Sequence, residues 1–232
     1  MTAPAETPLP PAYQTLLQLL QTRYSCRAFL PQPLPRSTIE RILEAAQRTA
    51  SWCNAQPWQL TIVSGDALER LRTALLAHVA QAPPAPDLPW PSEYRGVYLQ
   101  RRRECGWGLY QALGIAKDDR AASQRQAAQN YTMFGAPHVA IVTSDAALGV
   151  YGAVDCGAYV ANFMLAAHSL GVGSIAQAAL AAYPQVLRAE LDIGTDRTIV
   201  CGISFGLADA QHPANRFRTN RAPFSDCVVW RD

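Results

Sequence analysis

The sequence predicts an α+β fold in which one sheet is flanked by helices, and three observations carry that prediction. Strand-like and helix-like segments are mixed along 232 residues without regular βαβ alternation and without an internal repeat, which disfavours a doubly wound sheet. Hydrophobic residues make up 49% and charged residues 16%, the composition of a globular chain with a sizeable core. The strands needed for one sheet lie on both sides of a proline-rich stretch. That stretch is therefore an excursion within a single domain spanning 1–232, not a linker.

Each element has a local signal. Leucines at 16, 17, 19 and 20 mark a first helix over 11–22. Ser37-Thr38-Ile39-Glu40 reads as a capping box for a second helix, whose apolar face is Ile39, Ile42, Leu43, Ala46 and Ala50. A strand over 59–64 ends at Gly65. Asp66 can then cap a helix to about residue 80, with Leu68, Leu71, Leu75, Leu76 and Val79 inward. Prolines 83, 84, 86, 89 and 91 forbid regular structure. Ser92 can cap a helix to about 113 and Asp118 another to about 133, so 81–133 forms a helical insert. "PHVAIVTS" reads as a buried strand, and an alanine-rich helix from about 151 to 170 stops at Gly171. "GSIAQ" is a short strand or turn, a short helix follows over 183–190, and "RTIVCGISFG" is a strand. Residues 210–232 form a C-terminal arm, polar and arginine-rich through "HPANRFRTNRAP" and ending in an apolar strand, "CVVW". Residues 171–176 match G-x-G-x-x-A, but a helix precedes the match and a strand follows. That is the reverse of a dinucleotide fingerprint, so the match is a decoy.

Composition excludes several function classes. A formal charge of +2 gives no footprint for nucleic acid or a membrane surface. No run of 18 apolar residues exists, and "MTAPAETPLPPAYQ" lacks the basic start and apolar core of a signal peptide. Six cysteines without C-x-x-C spacing point to a reduced, cytoplasmic protein. The four isolated histidines predict no metal site. Lys117 is the only lysine and sits in a charged turn, which argues against Schiff-base chemistry. No serine lies in G-x-S-x-G, so pairing Ser51 with His138 or His168 as a hydrolytic site has little behind it.

Three polar segments share one chemistry. "RYSCR" supplies Arg23, Tyr24, Ser25 and Arg27; "SWCNAQPW" supplies Ser51, Asn54 and Gln56; "NRFRTNR" supplies Arg216, Arg218 and Arg221. Arginine forks suit phosphate, and paired amides suit a ring with amide-like edges. Together they describe a phosphorylated heterocycle. Plainer readings exist for each segment alone: a helix C-terminus for Arg23 and Arg27, a satisfied turn for Asn54 and Gln56, a solvated tail for 216–221. The "RRR" at 101–103 reads as a solvated helix face.

These motifs carry a resemblance. "RYSCRAFLPQPLPRSTIERILEAAQRTASWCNAQPWQLTIVSG", "QRRRECGWGLYQALGI", "GAPHVAIV", "GVGSIAQAAL" and "NRFRTNRAP" resemble the FMN-dependent nitroreductase family, in particular its nitrobenzoate and nitrobenzene reductases. The resemblance covers about residues 13–230. It implies a central, mostly antiparallel sheet, completed in a homodimer by a C-terminal strand exchanged from the partner chain. It implies FMN as cofactor, with Arg23, Tyr24, Ser25 and Arg27 at its phosphate, ribityl chain and ring edge. Ser51, Asn54 and Gln56 would reach the flavin of the other subunit. Ala176, Gln177 and Ala178 would line the ring, and Arg218 and Arg221 would bind the phosphate. Arg218 would stand in for a lysine that many relatives carry where this chain has Thr219. The implied activity is ping-pong hydride transfer from NADH or NADPH through flavin N5 to a nitroaromatic or quinone. No side chain is needed as catalytic acid or base, and the insert, with Trp90, Tyr94, Tyr98, Trp107 and Tyr131, is a candidate lid. Reduction of another acceptor, such as an activated alkene, and flavin binding without turnover are the alternatives.

Overall fold

The computed structural model describes residues 9–231; the leader-peptide reading of the first residues falls largely outside that range. One antiparallel sheet holds four strands: β1 (Trp58–Ser64), β2 (His138–Asp145), β3 (Gly173–Gln177) and β4 (Arg197–Gly206), in the order β1-β2-β4-β3. The helices are α1 (Pro11–Thr22), α2 (Arg36–Ala46), α3 (Gly65–Val79), α4 (Gly96–Ala112), α5 (Arg120–Ala128), α6 (Gly149–Ser169) and α7 (Pro184–Leu191).

Both faces of the sheet are covered, and strand periodicity explains how. Successive residues of β2 point to opposite sides. Val139 and Ile141 join Leu68, Leu71 and Leu75 of α3 and Leu187 of α7 in one core cluster. Ala140 and Val142 join Ile39 and Ile42 of α2 and Cys156, Tyr159 and Phe163 of α6 in the other. A strand buried on both sides cannot alternate in polarity, which is why "HVAIV" reads as a continuous apolar run.

The helix boundaries differ from the predicted ones where a backbone device overrides a side-chain cap. The capping box does not form: α2 opens after Pro35 without a side-chain cap, and Glu40 pairs instead with Arg36, 2.9 Å away. Ala50 lies beyond that helix and is exposed, while Thr49 is buried. α3 starts at Gly65 with Ser64 as N-cap, so Asp66 sits in the first turn, where it still favours the dipole. Leu76, expected inside, is exposed. Ser92 caps nothing; α4 begins four residues later, after a break at Gly96 with φ +50°. Asp119, not Asp118, caps α5 by accepting from the Ala122 N–H at 2.8 Å. α5 ends well before 133, because Met133 and Phe134 both adopt left-handed φ (53° and 54°) and turn the chain into β2. Gly171, at φ +73°, stops the α6 segment as expected, and a strand follows it.

The proline-rich excursion is pinned to the body. Ala85 N–H donates to Ala182 at 2.8 Å. Asp87 accepts from both terminal nitrogens of Arg188 (3.1 and 2.7 Å) and from Ile199 N–H (2.8 Å). "CVVW" forms no strand in the single chain; Val229 and Trp230 are 75% and 74% exposed. Residues 146–169, which include α6, are long and apolar enough to cross a membrane by length and composition. The inner face of α6 instead packs on the sheet, and its outer face leaves Val150, Tyr151 and Val154 uncovered.

His138 opens β2 in a buried position. Its Nε2 accepts from Leu34 N–H at 2.8 Å and its Nδ1 lies 2.5 Å from Ser64 Oγ, so the ring is neutral with its proton on Nδ1. Burial holds its pKa below the usual histidine range. A histidine kept neutral in the fold stabilises it above the unfolded pKa and withdraws that stability as pH falls. The urea midpoint should therefore fall between about pH 7 and 5, and His138→Asn, though less stable, should show a flatter dependence there. An equal slope in both proteins would place the titration elsewhere.

Candidate active site

Residues 23–27 run along the free edge of β3. Ser25 bridges Ser174, and Cys26 N–H donates to Ser174 at 3.0 Å. Gly173 permits this approach, because a Cβ there would meet Cys26 Sγ and Ala208 Cβ, each at 3.1 Å. Period-two alternation sends Cys26 into the core and leaves Arg23, Ser25 and Arg27 half-buried.

The C-terminal arm is tied to this strip by Asn215, which is buried and was not singled out from the sequence. Its Oδ1 accepts from Arg27 N–H at 2.7 Å, and its Nδ2 donates to Ala28 and Asp209 carbonyls at 2.8 Å each. The one signal available in the sequence was its place at the head of "NRFRTNR". Beyond it, Arg218 donates to Asn215 O at 2.6 Å and lies 3.7 Å over the Tyr24 ring. Arg221 donates to Thr219 Oγ1 at 2.7 Å.

Positive charge is concentrated here. Burial, then the charge of Arg221, lowers the Arg23 pKa, and burial lowers that of Arg27. Burial, then Arg23 and Arg218, lowers that of His168, whose Nε2 lies 2.8 Å from Thr22 Oγ1. Among the described residues, Arg23, Arg27, Arg218 and Arg221 make no ion pair, whereas Arg36, Arg72, Arg95, Arg101 and Arg188 do. Crowded guanidinium groups favour an anion, and Glu104 and Asp226 border the groove that Arg218 and Arg221 line.

The end of β3 forms the floor of an adjoining cavity of about 550 Å³. Arg27, Ala176, Gln177 and Ala178 line it on one side, Trp107 and Tyr110 of α4 on the other. The Gln177 side chain turns inward, donating to Asn130 O at 2.9 Å and accepting from Ser204 Oγ, so only its backbone faces the cavity. Arg218 and Arg221 line a second groove of about 940 Å³ between α4 and the arm. α4 is the partition between the two spaces, which accounts for its having no buried residue. A notch at Gly108 seats Phe217; a Cβ there would lie 2.5 Å from the ring.

Two expectations about the insert change. Arg101 to Arg103 are exposed, yet they stand at the groove walls rather than on a free face: Arg101 lines the arm groove, Arg102 and Arg103 the β3 cavity. Of the insert aromatics, Tyr131 packs on Tyr183 (5.7 Å) and burial pushes its pKa up to about 12, while Trp107 lines the cavity. Trp90, Tyr94 and Tyr98 are exposed.

Ser51, Asn54 and Gln56 are not brought to the arginines within one chain. They precede β1, at the far edge of the sheet. In register, Ser25 lies level with Ser64, the opposite end of β1 from Trp58. Four strand spacings and six residues of rise put the two groups about 28 Å apart. Ser51 Oγ accepts from Gln56 N–H at 2.9 Å, and Gln56 donates to Asn54 Oδ1 at 3.2 Å. The loop is strained: Cys53, Asn54 and Gln56 have φ of 51°, 55° and 48°. Trp52 N–H binds the Asp155 carboxylate (3.2 Å) and its ring meets Tyr151 edge-on at 4.4 Å, which fixes the loop beside α6. Ser51 bonds to neither His138 nor His168, so no hydrolytic pair forms. Among the described residues no cluster could hold a metal ion.

Known proteins match this architecture over nearly its whole length. "Nitroreductase NfnB" of Mycolicibacterium smegmatis is 36% identical over 92% of this chain and 91% of its own. A "4-nitrobenzoate reductase" of Nocardioides sp. is 34% identical over 100% of this chain and 98% of its own. The crystal structure of the FMN-dependent nitroreductase NfnB from Mycobacterium smegmatis in complex with NADPH superposes with a TM-score of 0.90 at 35% identity, covering 95% of this chain and all of that one. An FMN- and NADPH-dependent NfnB from sphigopyxis sp. strain HMH gives the same TM-score at 33% identity over 93% of this chain and 98% of its own. The model of the nitroreductase family matches residues 20–207, the span from the arginine strip through β4, and with it the chain belongs to that family.

Proposed function

We infer that the chain is an FMN-dependent NAD(P)H oxidoreductase that reduces nitroaromatic compounds. The observation that carries this reading is the arginine set along the edge of β3, with Arg23 beside Arg218 and Arg221 of the arm and Arg27 at the adjoining cavity, none of them in an ion pair among the described residues. They match the phosphate of FMN in charge, and the 176–178 backbone beside them offers a flat edge for the ring. Bound FMN supplies the hydride chemistry, accepting a hydride from NAD(P)H at N5 and delivering electrons to the acceptor. The chain's own contribution is to hold the phosphate, present the 176–178 floor, and exclude water with Trp107 and Tyr110. Quinones fit the same flat, electron-poor acceptor class. Six cysteines without a disulfide support a reducing, cytoplasmic setting.

The working unit in this reading is a homodimer, and residues 1–232 form one FMN-binding domain with the insert as its lid. Apolar surface on α1 (Leu16, Leu17, Leu20), on α6 (Val150, Tyr151, Val154) and on the arm (Val228, Val229, Trp230) is left uncovered in the single chain. Such patches mark an association surface. A second copy also supplies what one chain lacks: Ser51, Asn54 and Gln56 within reach of the flavin whose phosphate the other chain binds.

The reading is tested by releasing the cofactor with heat and assaying NADPH oxidation with a nitroaromatic acceptor. FMN in the supernatant and acceptor-dependent oxidation are expected; a colourless protein that takes up no added FMN contradicts it. Arg221→Ala should weaken FMN binding by about one to two decades, the worth of a charge-assisted hydrogen bond. Arg70→Ala, on an exposed part of α3, should leave it unchanged. Equal affinities would remove the arm from the phosphate site. Deleting residues 225–232 should impair both dimerisation and FMN retention in sedimentation read at the flavin wavelength. A truncated dimer carrying its full FMN would reject the exchanged arm.

A further inference from the structure

We propose that Arg102 and Arg103 on α4 form the subsite for the 2′-phosphate of NADPH, and so set a preference for NADPH over NADH. The inference rests on the flavoenzyme reading above and deepens it. α4 presents two faces. Residues 101, 104 and 108 turn to the arm groove, 102, 103, 106, 107 and 110 turn to the β3 cavity with the spacing of one helical stripe, and Cys105 borders both. Arg102 and Arg103 thus share a face with Trp107 and Tyr110, which wall the floor at 176–178.

Their electrostatics differ from those of their neighbours. Arg101 lies 3.8 Å from Asp226 and Arg95 lies 3.0 Å from Glu93. Arg102 and Arg103 make no ion pair among the described residues, and no Asp or Glu lines the β3 cavity. Arg102 is oriented by the Tyr94 ring, 5.2 Å from its guanidinium carbon. Two adjacent forks suit a phosphate monoester, which carries nearly two charges at neutral pH and three acceptor oxygens.

Distance selects the source of the anion. Arg103 lies seven residues from Tyr110, about 10 Å along the helix axis. A small acceptor lying on the floor keeps its own substituents near Trp107 and Tyr110. The adenosine end of a nicotinamide dinucleotide extends away from the reacting ring and reaches the mouth, where the two arginines stand. The carboxylate of a nitrobenzoate is the competing anion, and the test separates the two.

Calorimetry on the FMN-loaded enzyme should show 2′,5′-ADP binding about tenfold or more tighter than 5′-ADP, the effect of one charge-assisted bond. The Arg102→Ala/Arg103→Ala protein should lose that difference while keeping its FMN content. In steady state its KM for NADPH should rise about tenfold, with KM for NADH and kcat little changed; Arg70→Ala should behave as wild type. Equal binding of the two nucleotides by the wild-type enzyme overturns the proposal. So does a variant whose change is confined to discrimination between 4-nitrobenzoate and nitrobenzene, which would assign the arginines to the acceptor. A protein that carries no FMN sinks the flavoenzyme reading instead, and the same comparison of 2′,5′-ADP with 5′-ADP on the FMN-free protein then decides the subsite.

Discussion

The buried amide of Asn215 bridges three backbone groups of two chain segments: Arg27 N–H, the Ala28 carbonyl and the Asp209 carbonyl. The two carbonyls also accept from Asp209 N–H (3.0 Å) and His212 N–H (3.3 Å), but Arg27 N–H depends on Asn215, and leaving it unpaired would cost about 1–3 kcal/mol. The same contacts fix where the arm leaves β4 and returns along residues 23–27. Arg218 and Arg221 gather beside Arg23 only because that return path is set. Burial first, and the charge of Arg221 second, lower the Arg23 pKa, so holding these groups together carries a cost. Neutral hydrogen bonds at Asn215 and core packing by Cys26 hold the cluster in place until an anion compensates it.

α4 distributes the remaining function. It buries nothing, so packing does not dictate its sequence, and its two stripes serve two spaces. One stripe accepts Phe217 of the arm at Gly108; the other walls the β3 cavity. The insert is therefore attached to the anion-binding arm and to the cavity by the same helix.

Much of this was legible in the sequence. Strands read well because β2 and β4 are long apolar runs bounded by turn residues; of the three polar segments, the chain brings 23–27 and 215–221 together and leaves 51–56 at the far edge of the sheet. Helix starts read poorly. Pro35, Gly96 and the left-handed pair Met133 and Phe134 set boundaries by backbone geometry, which outranked the serine and aspartate caps. Asn215 was missed because a structural asparagine in a polar tail has no periodicity to mark it. Arg102 and Arg103 are exposed, as a solvated helix face should be, but their place at a cavity wall was not legible. A charged helix face looks solvated in one dimension, and only the fold shows that it borders a cavity.

The strained loop at 51–56 remains far from the arginines of its own chain, and its polar groups satisfy one another there. Left-handed φ at three non-glycine residues is a cost that a solitary chain has no use for. Proposed sites built from the arginines of one chain and the loop of its partner give that cost a purpose. Mixing two variants tests this claim most directly: one chain with Arg23→Ala and Arg221→Ala, the other with Ser51→Ala, Asn54→Ala and Gln56→Ala. After co-refolding, mixed dimers hold one intact site, so FMN retention should exceed that of either variant alone. Retention no better than the mean of the two parents would place the whole site within a single chain and contradict the account.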